Sequence, residues 1–272
     1  MNLKQIRPAR QREISELAEA IADEFCPEPH PVNPALIAEK TELAYKAADY
    51  GGYFEGYLEY YRGSFFIFLH LNEGEHLYIP RVRFSFAHEL GHYFLDEHRI
   101  ALMEPGMPPH GSKGIFSSDI GTEREADYFA ACLLLPEKRL RRDVFRKKFN
   151  MTLMNELKNK YQVSMTALLL RFKGLGNHPL MVVCSIHNRL KWLNYSDDFP
   201  FKKLRTGIKG EIPECSAAAE YFREGTKYQK AEKVFAEDWF ELYRADDRRR
   251  EFWEYCVYYE SMNQVISVIW EE

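Results

Sequence analysis

The sequence predicts an α+β protein. Three observations carry this: runs rich in Tyr, Phe, Ile and Leu at 57–61, 64–71 and 76–82, helical periodicities on either side of them, and further strand-like runs after Gly176. With 272 residues, 29% of them charged and 15% aromatic, the chain has core material for two domains and lacks the composition of a disordered protein. The expected division is a first domain over 1–150, a helical extension over 151–175 and a C-terminal α+β domain over 176–272.

The elements follow in order. Ile14, Leu17, Ile21 and Phe25 recur at helical spacing, and the prolines of 27–34 end that helix. Asn33-Pro34 then supplies the cap and first position of a second, short one. Gly63 and Asn72-Glu-Gly74 break the next three runs into a small antiparallel sheet. From 84 to about 96, Phe84, Phe86, Ala87, Leu90, Phe94 and Leu95 mark a helix. Residues 101–121 hold three prolines and four glycines and read as a long loop. A helix follows at 122–135, and Pro136 separates it from the basic stretch EKRLRRDVFRKKF. That stretch is a phosphate-contacting patch or, the favoured reading, a solvated helix face opposite Leu140, Val144 and Phe149. Residues 151–172 outline two short helices around Gln162-Val163-Ser164, similar to a helix-turn-helix. Beyond Gly176, LMVVCSI, RLKWLNY, FWEYCVYY and QVISVIW read as strands, with a helix near 216–223.

Composition narrows the function. A net charge of −4 gives no global reason to expect nucleic acid or an anionic membrane as partner. The five cysteines are scattered and never spaced as CxxC, so no disulfide framework or cysteine zinc site is expected, and a cytoplasmic location fits. No run approaches the roughly 18 apolar residues of a membrane span, and the N-terminus lacks an apolar signal core.

The chemistry concentrates in FSFAHELGHYFLDEH, residues 84–98. His88 and His92 stand four apart on the predicted helix, so both imidazoles can reach one ion. Glu89, about 100° around from His88, is placed to accept a proton from a water at that ion and to pass it to a leaving amine. A hydrolytic zinc site needs a third protein ligand and an open fourth position. His98 is one candidate, but its spacing demands a sharp turn where Leu95 stands, a residue that resists positive φ. A solvated histidine at a helix end is the preferred role for His98. The other candidate is Glu123 on the 122–135 helix, where Asp127, one turn on, could accept the free ring N–H of His88. Glu125 is expected to close that helix start in a capping box with Thr122.

FSFAHELGHYFL followed by EREADYFAACLLLP resembles the ImmA/IrrE family of bacterial and phage metallopeptidases. The Glu-x-x-Ala-Asp-x-Phe-Ala run with its Leu-Leu-x-Pro ending is more specific than HExxH alone. The resemblance covers roughly 10–175 and implies a zincin-like catalytic domain with Zn2+ on His88, His92 and Glu123 and Glu89 as base. It implies helix-turn-helix-like helices after the catalytic domain, and a helix-turn-helix repressor as the protein substrate whose cleavage releases transcription. The C-terminal domain matches no motif and is expected to be regulatory. The rival expectation is a DNA-binding transcription regulator with a structural zinc.

Overall fold

The computed structural model describes residues 6–104, 110–112, 121–176, 178–207 and 210–271. In order, its elements are α1 (Pro8–Phe25), α2 (Pro34–Lys40), β1 (Ala44–Ala48), β2 (Gly56–Tyr61), β3 (Ser64–His70), α3 (Pro80–Phe94), α4 (Asp96–Met103), β4 (His110–Ser112), α5 (Gly121–Leu134), α6 (Glu137–Val144), α7 (Met151–Tyr161) and α8 (Met165–Lys173). They continue with β5 (Leu180–Ile186), β6 (Arg189–Tyr195), α9 (Ala217–Glu224), β7 (Glu232–Phe235), α10 (Ala236–Trp239), β8 (Glu251–Tyr259) and β9 (Gln264–Trp270). The protein is therefore α+β. Packing divides it into two compact units, Met1–Arg146 with Glu156–Ser164, and Lys147–Asn155 with Met165–Glu272. The residues of α7 are thus shared between them.

The first unit is built around α3. A sheet of order β1-β3-β2-β4 lies against it on one side and α5 on another. The expected antiparallel pair β2–β3 is present, and β1, which sequence periodicity does not mark, joins β3 in parallel. Residues 76–82 are not a strand. Pro80 occupies the first turn of α3, where its missing N–H costs nothing and its φ is already helical. Eleven consecutive residues of α3, Val82 to His92, are buried, so the helix is enclosed all round, as a central helix must be. The buried guanidinium of Arg83 pins it, donating to the carbonyl oxygens of Val32, Tyr161 and Gln162 at 2.7 to 3.4 Å. Burial without a carboxylate partner lowers its pKa to about 10.

One expectation for this unit changes, while the favoured reading of the basic stretch, a solvated face opposite buried Leu140, Val144 and Phe149, holds for all its cations but Arg139. The segment read as a loop over 101–121 continues α4 to Met103 and pairs with Gly56–Leu58 through β4, while 105–109 and 113–120 lie outside the described residues. Arg139, Arg141 and Arg142 of the basic stretch are ion-paired with Asp23, Glu137 and Glu28, and α6 stops at Val144. Their charge is spent inside the unit.

The second unit carries the antiparallel sheet β6-β5-β9-β8-β7. One face packs Met181, Phe199, Trp239, Phe240, Phe252 and Ile269, and α9 covers Cys256 and Val265 with Ala217, Ala218 and Ala219. Glu254 is fully buried between them. Its carboxylate accepts from the N–H groups of Ala217 and Ala218 at the start of α9, from Trp239 Nε1, from Ser267 and from the Cys256 thiol.

Candidate metal centre

One turn of α3 places His88 above His92 with both Nε2 atoms toward the same point, 3.1 Å apart. From α5, Glu123 brings its carboxylate to the same place, with Oε2 3.4 Å from His88 Nε2 and Oε1 3.2 Å from His92 Nε2. All three residues are buried, and their ligand-type atoms lie within 4.8 Å of one another. In a tetrahedral zinc site with metal–nitrogen bonds of about 2.1 Å, neighbouring ligand atoms stand about 3.4 Å apart. The donor set and its spacing therefore suit a divalent metal ion.

The close approach of α5 depends on Gly91. A Cβ there would stand 3.1 Å from Phe129 Cδ1, 3.2 Å from Ala126 Cα and 3.3 Å from Ala126 O. Its absence lets α5 cross α3 at the level where Glu123 meets the histidines. Glu89, 1% exposed, lies against β2, where Gly56 leaves the room its carboxylate needs. A Cβ at 56 would meet Glu89 Oε1 at 2.5 Å.

Asp127 Oδ1 is 2.8 Å from His88 Nδ1, so the ring nitrogen facing away from the cluster donates to a carboxylate. Burial works against charge on His88, but its contacts with Asp127 and Glu123 prevail and raise its pKa to about 10. Burial dominates at His92 and, helped by the neighbouring charge on His88, lowers it to about 4. Burial also lifts Asp127 above the usual carboxylate value. The cluster thus concentrates negative charge around buried nitrogens, the setting in which a divalent cation binds.

His98 is not the solvated histidine expected. The chain leaves α3 at Leu95 with φ −79° and ψ 108°, an extended conformation that needs no positive φ, and enters α4 at once. This folds His98 back to 5% exposure, with its Nδ1 3.2 Å from His92 Nδ1. It meets the far nitrogen of His92, not the point where the three ligand-type atoms converge. Glu125 likewise does not close its helix start. Its Oε2 accepts from Arg10 at 2.7 to 2.8 Å and stands 3.4 Å from His98 Nε2.

Residues 46–173 match the Peptidase M78 family model described as the IrrE N-terminal-like domain. This stretch is an IrrE N-terminal-like domain. The whole chain is also similar in fold to a solved chain titled "Mycobacterium tuberculosis transcriptional regulator". The TM-score is 0.61 at 11% identity, covering 96% of this chain and 76% of that one. No curated protein sequence matches. His88, Glu89, His92, Glu123 and Asp127 all lie within the IrrE N-terminal-like domain, whereas Arg10 precedes it. The family name, Peptidase M78, supports a metallopeptidase role for this domain. Among the described residues no helix is long and apolar enough to cross a membrane.

Proposed function

We propose that the chain is a zinc endopeptidase that cuts a cytoplasmic protein substrate, a helix-turn-helix transcriptional repressor, and so releases the genes it silences. The carrying observation is the convergence of two imidazole nitrogens and one carboxylate beside buried Glu89. Among the described residues no further side chain joins that metal-type group, and three protein ligands leave the open position that hydrolysis requires and a structural zinc site lacks. When bound, zinc supplies Lewis-acid polarisation and lowers the pKa of water toward about 7.

The roles of the chain's own residues follow from placement. His88, His92 and Glu123 hold the ion, and Asp127 keeps the proton of His88 on Nδ1 so that Nε2 faces inward. Glu89 takes a proton from the attacking water and returns it to the leaving amine. Gly56 keeps its carboxylate in register with the site, and burial strengthens every charge interaction involved. Of the two strands expected to offer an edge to an extended substrate, β3 is interior and β2 pairs with β4 over Gly56–Leu58, which leaves its 59–61 stretch as the open part of β2 among the described residues.

The repressor as substrate draws support from the family resemblance of the motifs and from the transcriptional title of the structurally similar chain. A cytoplasmic setting accords with five free cysteines. The second unit, which contributes none of the site residues, fits a regulatory role.

The rival, a DNA-binding regulator with structural zinc, draws on α7 and α8, joined by the three residues 162–164. A recognition helix needs a solvent-facing side to enter a groove. No residue of α8 is fully exposed; Thr166 bonds to Tyr259, and Lys173 donates to Asn194 at 2.7 Å. Incubating zinc-loaded protein with folded repressors and with unrelated unfolded chains separates the readings. A single cut in a folded repressor supports the proposal. Digestion of unfolded chains alone points to a housekeeping peptidase, and zinc binding with no cleavage of either favours the regulator.

A further inference from the structure

His88 has a carboxylate behind it; His92 has an imidazole. We propose that His98, Glu125 and Arg10 form a second positioning relay, anchored at Arg10 ahead of the IrrE N-terminal-like domain, that fixes the tautomer and ring orientation of His92. The inference rests on the metal-site reading above and concerns residues that reading leaves without a role.

Proton placement decides the arrangement. If His92 presents the Nε2 lone pair to a cation, its only ring proton sits on Nδ1. His98 Nδ1, 3.2 Å away, must then accept, and a neutral imidazole that accepts at Nδ1 carries its proton on Nε2. That nitrogen stands 3.4 Å from Glu125 Oε2, whose negative charge is held by Arg10 Nε and Nη2 at 2.8 and 2.7 Å. Arg10 is itself steadied by Glu97, at 2.9 Å. Reversing the polarity fails at both ends. It would put the His92 proton on Nε2, facing the cation, and turn the bare Nε2 lone pair of His98 toward the Glu125 carboxylate. The chain of contacts therefore admits one arrangement, running Arg10 to Glu125 to His98 to His92, and it selects the metal-binding tautomer.

Burial gives the arrangement its weight. His98 is 5% exposed and His92 3%, so a ring nitrogen without a partner there would lose water and gain nothing. The relay also draws three elements to one ligand: Arg10 lies on α1, Glu125 on α5 and His98 on α4.

The test measures zinc affinity by chelator competition in the full chain, together with far-UV circular dichroism. His98→Phe keeps a ring but removes the acceptor, and should weaken zinc binding by about 10 to 100-fold, the range for loss of a group that orients a metal-bound imidazole. His98→Asn places an amide oxygen where Nδ1 stood and should restore most of the affinity. Glu125→Ala, at a partly exposed position, should weaken binding in the same direction by a smaller factor, and it carries the test if His98→Phe does not fold. In the zinc-loaded wild type, nitrogen NMR should find the His92 proton on Nδ1. Wild-type affinity in folded His98→Phe, or in Glu125→Ala if His98→Phe is unfolded, overturns the relay, as does an asparagine variant no better than phenylalanine. Tight wild-type binding with those outcomes leaves the metal-site reading standing, whereas a wild type that binds no zinc removes both.

Discussion

At position 56 a side chain would collide with the atoms that do the chemistry. An alanine Cβ would lie 2.5 Å from Glu89 Oε1 and 2.9 Å from its Cγ, and the flexible glutamate, not the β2 backbone, would give way. Gly56→Ala should therefore leave folding and zinc content unchanged while hydrolysis falls by about 100-fold, the cost of misplacing a reacting group by an ångström. Parallel metal analysis and a cleavage assay read both. Asp127→Ala should instead act on the metal, weakening zinc binding by about 10 to 100-fold in chelator competition, because His88 loses the carboxylate that holds its tautomer. Residues that meet along one helix were legible in the sequence. His88, Glu89 and His92 follow from the 3.6-residue turn, and the pairing of Glu123 with Asp127 follows from their spacing of one turn. His98 and Glu125 were not legible. Their partners depend on the bend at Leu95 and on Arg10, 115 positions from Glu125, and neither leaves a local signal.

The crossing of α3 and α5 sets the position of Glu123, and Gly91 sets the crossing. Its nearest neighbours include the backbone of Ala126, which cannot rotate away, so Gly91→Val should push the helices apart. The expected result is a loss of about 1 to 3 kcal/mol in a denaturant titration, with weakened zinc binding because Glu123 moves with α5. Elements defined by their own periodicity, such as α1, β2, β3, β5, β6, β8 and β9, could be read directly. Residues 76–82 misled because their apolar residues suit a strand as well as a helix entry, and Pro80 decided for the helix. The strand β1, AYKAA, has a mixed burial pattern and owes its conformation to parallel pairing with β3, a long-range contact.

Across the whole molecule, every proposed site residue belongs to the first unit, so perturbing the second should leave the metal centre intact. Glu254 offers a selective handle. Burial raises its carboxyl pKa above the ordinary 4.5, against the opposing pull of donors from Ala217, Cys256, Trp239 and Ser267. Between the unfolded value and the raised native one the folded state holds the extra proton. Stability from this group is thus full below about pH 4.5 and is lost as pH rises through the native pKa. Thermal melts against pH should show that decline in the wild type and a flatter profile in Glu254→Gln, with zinc affinity equal in the two. The central claim, that Glu89 moves the proton beside a metal held by its helix neighbours and Glu123, is tested most directly by comparing zinc content and single-turnover cleavage in wild type and Glu89→Gln. Glutamine keeps the shape of glutamate and cannot accept a proton, so the account predicts full zinc content with hydrolysis reduced by about 100 to 10,000-fold. Cleavage at the wild-type rate by zinc-loaded Glu89→Gln would contradict it.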